Sequence, residues 1–142
     1  MTRSQQTEFA TFLLRLALGF MYLSHSLILK LGTFGLAGTA SFFVGVGLPG
    51  WLAYATFAAE AIGGVLLVLG VQTRIVVIAL MPALLGAIIW VHAWNGWVFT
   101  APNGGWEYPA FLIVASVVQF LLGDGAYALS PGRSGNLETR SA

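Results

Sequence analysis

WLAYATFAAEAIGGVLLVLGVQTRIVVIALMPALLGAIIWVHAW, residues 51–94, holds a single acid, Glu60, and a single arginine, Arg74, within two apolar runs. Each run, 51–71 and 74–94, has about the 20 apolar residues that an α-helix needs to cross a bilayer. Only Gln72 and Thr73 separate them, so the two form an antiparallel hairpin. Working outward, Phe9–Leu31 is a third run of spanning length, and Tyr108–Leu122 is a shorter fourth. The pattern predicts an all-α fold: an integral membrane four-helix bundle over residues 1–130, with spans at 9–31, 51–71, 74–94 and 108–122. Residues 131–142, rich in Ser and Gly with mixed charge, read as a flexible cytoplasmic tail. The first run lacks a clear small-residue cleavage site and reads as a retained signal-anchor.

Between the first two spans lies the glycine-rich stretch 32–50. Its segment Thr39–Val46 is expected to form a short interfacial helix, with Phe42 and Phe43 in the lipid headgroups. Residues 95–107 form a polar loop containing glycine and proline. Basic residues orient the bundle, because Lys and Arg concentrate on the cytoplasmic side. Four spans put Arg3, Arg15, Arg74, Arg133 and Arg140 on one side and Lys30 on the other, which predicts N-in/C-in topology. Trp51, Trp94, Trp97 and Trp106 then crowd the outer boundary as an aromatic belt. Small residues at every fourth position, Ala55/Ala59/Gly63 and Ala79/Ala83/Ala87, predict close helix seams. Pro82 removes one intrahelical hydrogen bond and predicts a kink in the third span.

Of the 142 residues 58% are hydrophobic and 8% charged, which accounts for one membrane domain and excludes a second. A formal net charge of +1 with no basic patch argues against nucleic acid as a partner. The chain has no cysteine, so it performs no dithiol or thiolate-metal chemistry of its own. Phosphate-loop, serine-elbow and zinc-protease motifs are absent as well.

Against that background five ionisable residues stand out: His25, Lys30, Glu60, His92 and Glu107. A charge at mid-bilayer costs from a few to more than about ten kcal/mol, so such residues are paired or functional. At about 1.5 Å per residue, His25 lies about 9 Å inward from Leu31 and Glu60 about 13 Å inward from Trp51. Lys30, His92 and Glu107 fall at outer ends, so all five are expected to open toward one outer-leaflet cavity. Arg15, Gly19, Tyr22, Ser26 and Lys30 form a stripe at helical spacing, with His25 beside it. Asn95 shares a helix face with His92. Arg15 is expected to snorkel to phosphates or to pair with Asp124, and Gln119 to bond between helices.

Four chemistries fit these residues. Glu60 paired with Lys30 or a histidine would fix helix register, a structural role. A quinone pocket would use histidines as hydrogen-bond donors and proton exchangers, with Glu60 passing protons on. A metal site would draw on His25, Glu60, His92 and Glu107, with haem ligation by the two histidines as a variant, although no short ligand spacing marks one. A transport pathway is the fourth, for which a short bundle without an evident internal repeat is poor material.

With these positions laid out, the chain resembles the DoxX family of small bacterial four-helix membrane proteins over about Leu13–Ser130. The marks are Leu13-Leu14-Arg15, His25 with Lys30-Leu31, Gly47-Leu48-Pro49, Glu60 with Gly63-Gly64, Gly70 and Thr73-Arg74. His92 with Asn95-Gly96 and the run Gly104-Gly105-Trp106-Glu107-Tyr108-Pro109 complete the set. Ser26 departs from the pattern, where the family commonly has glycine. The resemblance implies residence in the bacterial inner membrane and redox work there, often beside partner proteins. Similar subunits take part in thiosulfate:quinone oxidoreductase, and other relatives are linked to quinone detoxification, oxidative stress complexes or copper-related maturation. It also implies His25, Lys30, Glu60, His92, Asn95, Trp106 and Glu107 as the family's polar positions.

The leading expectation is a membrane subunit of a quinone-linked redox system. In it His25 and His92 would hydrogen-bond the quinone carbonyls and Glu60 would relay protons. Lys30, Asn95, Trp106, Glu107 and Tyr108 would complete the site, with electrons supplied by a protein partner or bound metal, since no flavin or nicotinamide motif is present. The runner-up is a non-enzymatic assembly or anchoring subunit, and a metal- or haem-binding protein is third. Docking to a larger complex or self-association is expected of so small a bundle.

Overall fold

The computed structural model describes residues 1–129; residue 130 and the expected tail at 131–142 lie outside them. The described residues form helices without strands. Helix α1 (Arg3–Leu23) begins six residues before the apolar run, because Thr2 and Gln5 make a reciprocal capping box. Gln5 N–H donates to Thr2 Oγ1 at 3.3 Å and Thr2 N–H to Gln5 Oε1 at 2.8 Å. Beyond Leu23 the helix widens into a π-helical segment, Ser24–Thr33. It stops at Gly35, whose φ of 70° suits glycine.

Helix α2 (Leu36–Gly45) is the short helix expected between the first two spans, longer than Thr39–Val46 by three residues at its start. Helix α3 (Trp51–Leu69) ends on Gly70 at φ 69°, a left-handed C-terminal stop. Helix α4 (Thr73–Gly86) runs through Pro82 and passes into a second π segment, Ala87–His92. Helix α5 (Glu107–Leu122) is 16 residues long. Its roughly 24 Å of rise falls short of the about 30 Å hydrocarbon core. Arg3–Thr33, Trp51–Leu69 and Thr73–His92 are each long and apolar enough to cross a membrane. The molecule is a helical membrane bundle.

The packing differs from the seams read off alanine spacing. Ala55, Ala59 and Ala79 are exposed. The buried face of α3 is Ala53, Glu60, Gly63, Gly64 and Leu67, and that of α4 is Thr73, Val76, Val77, Leu80 and Leu84. When every face of a helix is apolar, small-residue spacing alone does not single out the packed one. The glycines do that here. A Cβ on Gly64 would lie 3.0 Å from Gly19 O, and one on Gly63 would lie 2.7 Å from Leu80 Cδ1. Backbone thus meets backbone where α1 crosses α3.

At the end of the bundle opposite Lys30, the helices cap one another. Thr73 N–H at the start of α4 donates to Asp124 Oδ1 at 3.0 Å. Arg74 returns the favour to α5, donating from Nε to Phe120 O at 3.1 Å and from Nη2 to Leu121 O at 3.4 Å. Arg15, fully buried, donates to Leu67 O and Val68 O at the end of α3 and to Ala126 O at 2.9 Å. Cations thereby sit on exposed carbonyl ends and a carboxylate on an exposed amide end, as helix dipoles favour. These bonds hold Arg15 inside the bundle, so it does not snorkel out.

Candidate functional site

The residues singled out in the sequence gather at the other end, and the two π segments carry three of them: His25, Lys30 and His92. A π turn adds a residue and re-aims the side chains that follow, and such turns are frequent at functional sites. No feature of composition or periodicity announces them.

The ionisable residues do not share one cavity. They form three separate arrangements. Lys30 Nζ bonds Glu60 Oε2 at 2.6 Å, with side chains 16% and 8% exposed. Thr39 Oγ1 donates to Lys30 O at 3.3 Å and to Gly35 O at 2.9 Å, pinning α2 beside this pair. His25 makes the second arrangement. Its Nδ1 lies 3.0 Å from Met21 O, and its ring stacks over Tyr108 with centroids 6.3 Å apart and planes at 22°.

The third arrangement folds the loop between α4 and α5. His92 Nδ1 lies 2.8 Å from Gly104 O. Asn95 Nδ2 reaches Val91 O, Asn103 O and Gly104 O within 3.0–3.1 Å. Glu107 Oε1 accepts Phe99 N–H at 2.8 Å, while Trp106 packs edge-on against Trp97 at 4.4 Å. A Cβ on Gly105 would collide with the carbonyl oxygens of Gly96, Trp97 and Val98, so the loop closes only around glycine. Asn95, His92 and Glu107 therefore hold the loop's shape.

Both histidines face backbone carbonyls, which only accept, so each Nδ1 carries a proton and donates it there. Among the described residues no three His, Asp or Glu side chains come together to hold a metal ion. His25, Glu60, His92 and Glu107 accordingly form no common ligand set: Glu60 is bonded to Lys30, His25 stacks on Tyr108, and His92 and Glu107 each bond a different backbone group of the loop.

What the folded loop builds is a groove of about 830 Å³, lined by Trp97, Phe99, Glu107, Tyr108, Ala110, Phe111 and Val114. Of the expected site residues Glu107 and Tyr108 line it; His25 backs it through Tyr108. Trp97 was read only as part of the aromatic belt, and Phe99, Phe111 and Val114 escaped the sequence reading. One signal was available for the last two: residues 107, 110, 111 and 114 recur at helical spacing on one face of α5. Phe111 and Val114 are exposed on an apolar helix, which opens the groove sideways to lipid.

The family model for DoxX matches residues 10–93, a stretch that contains His25, Lys30, Glu60 and His92. The chain belongs to the DoxX family. Among curated proteins it is similar to "Putative oxidoreductase CatD" of Bacillus subtilis (strain 168), with 38% identity over 126 residues, or 87% of each chain. No solved structure matches it. The loop from Asn95 and helix α5, which build most of the groove, lie beyond the residues that the family model matches.

Proposed function

We propose that this DoxX-family protein is the membrane subunit of a quinone-linked redox system, and that the groove at Tyr108 receives the quinone ring. One observation carries the reading: a lipid-facing, largely apolar aromatic groove whose lining includes Glu107 and Tyr108, with His25 stacked on Tyr108. A quinone reaches such a site through the bilayer, lays its ring among Trp97, Phe99 and Phe111, and meets a phenol donor at its carbonyl. In the hydroquinone state the O–H needs an acceptor, for which the Glu107 carboxylate is the group of suitable chemistry. This revises the expected roles. His92 supports the loop, and Glu60 stands apart, bound to Lys30. Similarity to a relative named as an oxidoreductase adds support, and electrons would pass to or from a protein partner or a second copy. The orientation that fits the arginines puts the groove in the outer leaflet of the bacterial inner membrane.

The test is to titrate a short-chain quinol into purified protein and follow quenching of the tryptophans. Saturable binding that weakens about tenfold or more in Tyr108→Ala and Phe111→Ala is expected. Absent binding, or binding indifferent to both changes, would sink the proposal. A second reading, a non-catalytic anchoring subunit, is favoured by the largely buried Lys30–Glu60 pair, which ties the π segment Ser24–Thr33 to α3 without any ligand. It predicts unchanged turnover per folded complex in Glu60→Gln.

A further inference from the structure

The loop between α4 and α5 fixes one carboxylate in the lining of the groove. Glu107 N–H donates to Trp97 O at 2.9 Å, and Phe99 N–H donates to Glu107 Oε1 at 2.8 Å. These two bonds tie together three lining residues, Trp97, Phe99 and Glu107. The loop has little room to relax around them, because the carbonyls of Gly96, Trp97 and Val98 close in on Gly105. One oxygen of Glu107 is thus spent on the loop. The other, Oε2, has no hydrogen-bond or ion-pair partner among the described residues.

An ionised carboxylate accepts hydrogen bonds and cannot donate them. In the rest of the lining only Trp97 and Tyr108 carry a side-chain N–H or O–H; Phe99, Ala110, Phe111 and Val114 are apolar. The two redox forms of a quinone meet this set differently. A quinone offers carbonyl oxygens alone. They take a bond from Tyr108 or Trp97 but turn lone pairs toward Glu107. A hydroquinone keeps an oxygen acceptor for those donors and adds an O–H for the carboxylate. Hydrogen bonds to a charged acceptor are about twice as strong as neutral ones, so this difference outweighs the others.

We propose that the groove selects the hydroquinone over the quinone, with Glu107 Oε2 accepting the O–H and Glu107 setting the specificity. The selection rests on the quinone reading of the groove and adds which redox state is held. It is a binding preference: the O–H bond stays intact and no electron moves. One charge-assisted bond, made by one form and missing from the other, corresponds to a preference of about tenfold or more in Kd. Tighter holding of the reduced form raises the midpoint potential of the bound couple, by about 30 mV per factor of ten for two electrons.

The test uses full-length protein in detergent micelles, titrated anaerobically at neutral pH with duroquinol and, separately, with duroquinone in a calorimeter. The parent should hold duroquinol about tenfold or more tighter than duroquinone. Glu107→Gln keeps an oxygen for Phe99 N–H and puts a donor NH2 in place of the free oxygen. Its preference should shrink to within about twofold or invert, while the near-ultraviolet circular dichroism of the Trp97–Trp106 pair stays unchanged. Tyr108→Phe should weaken both forms and leave the preference in place. Equal affinities in the parent, tighter duroquinone, or a Glu107→Gln variant that weakens both forms alike would overturn the selection and leave the groove a quinone site. Failure of both forms to bind would overturn the groove reading and the selection together.

Discussion

Replacing Glu60 by Gln leaves the ammonium of Lys30 in the bundle with no carboxylate, and the size of the loss follows from the geometry. The two charged atoms are 2.6 Å apart, and the side chains are only 16% and 8% exposed. Charges about 3 Å apart attract by about 5 kcal/mol at an effective dielectric constant of about 20. Much of that offsets the cost of taking both ions out of water, so the pair adds little net stability over a neutral one. A lone survivor has no such offset, and breaking a buried pair costs about 3–5 kcal/mol. Glu60→Gln and Lys30→Met should therefore each destabilise by about that amount. The double variant, with no charge left to bury, should cost less than the sum, with an interaction energy of about 2–3 kcal/mol. Reversible unfolding in mixed micelles, followed by far-ultraviolet circular dichroism, measures all three variants against the parent. Costs that add to within about 0.5 kcal/mol would refute the pairing, because independent sites behave that way.

Two further outcomes follow from the glycines. Gly105→Ala drives a methyl into the carbonyls of Gly96, Trp97 and Val98, so the loop must open. The Trp97–Trp106 contact should be lost, read as a shift in near-ultraviolet circular dichroism, with helix content retained. Gly64→Val places bulk where Gly19 O would be 3.0 Å from the new Cβ, forcing α1 off α3. It should destabilise by about 1–3 kcal/mol, the usual cost of overpacking, whereas the same change at exposed Gly45 should cost well under half as much in a melting experiment.

The helices were legible because a bilayer leaves little choice. Unbroken apolar runs of about 20 residues must be helical to satisfy their backbone, and the turn at Gly70–Gln72 is too short for anything but a hairpin. The early start of α1 was also written in the chain, as Thr2 and Gln5, but a reading tuned to hydropathy passes over a cap. Which helix faces pack was not legible from Ala55, Ala59 and Ala79, since lipid and neighbouring helix are equally apolar. The candidate site was half legible. Lys30 and Glu60 announced themselves by their cost, and their pairing was among the alternatives weighed. Their separation from His92 and Glu107 was not foreseeable, because it depends on the π turns at Ser24–Thr33 and Ala87–His92 and on the closure of the loop over Gly105. Aromatic residues that line the groove, such as Phe99 and Phe111, look in sequence like any other lipid-facing side chain.

The most direct measurement is photolabelling of the membrane-embedded protein with a quinone bearing a photoreactive group on its ring, followed by peptide mapping. Attachment within residues 97–99 and 107–114, displaced by excess unlabelled quinone and reduced in Tyr108→Ala, is the predicted result. Displaceable attachment around Glu60 or His92 instead, or none that excess quinone displaces, would contradict it.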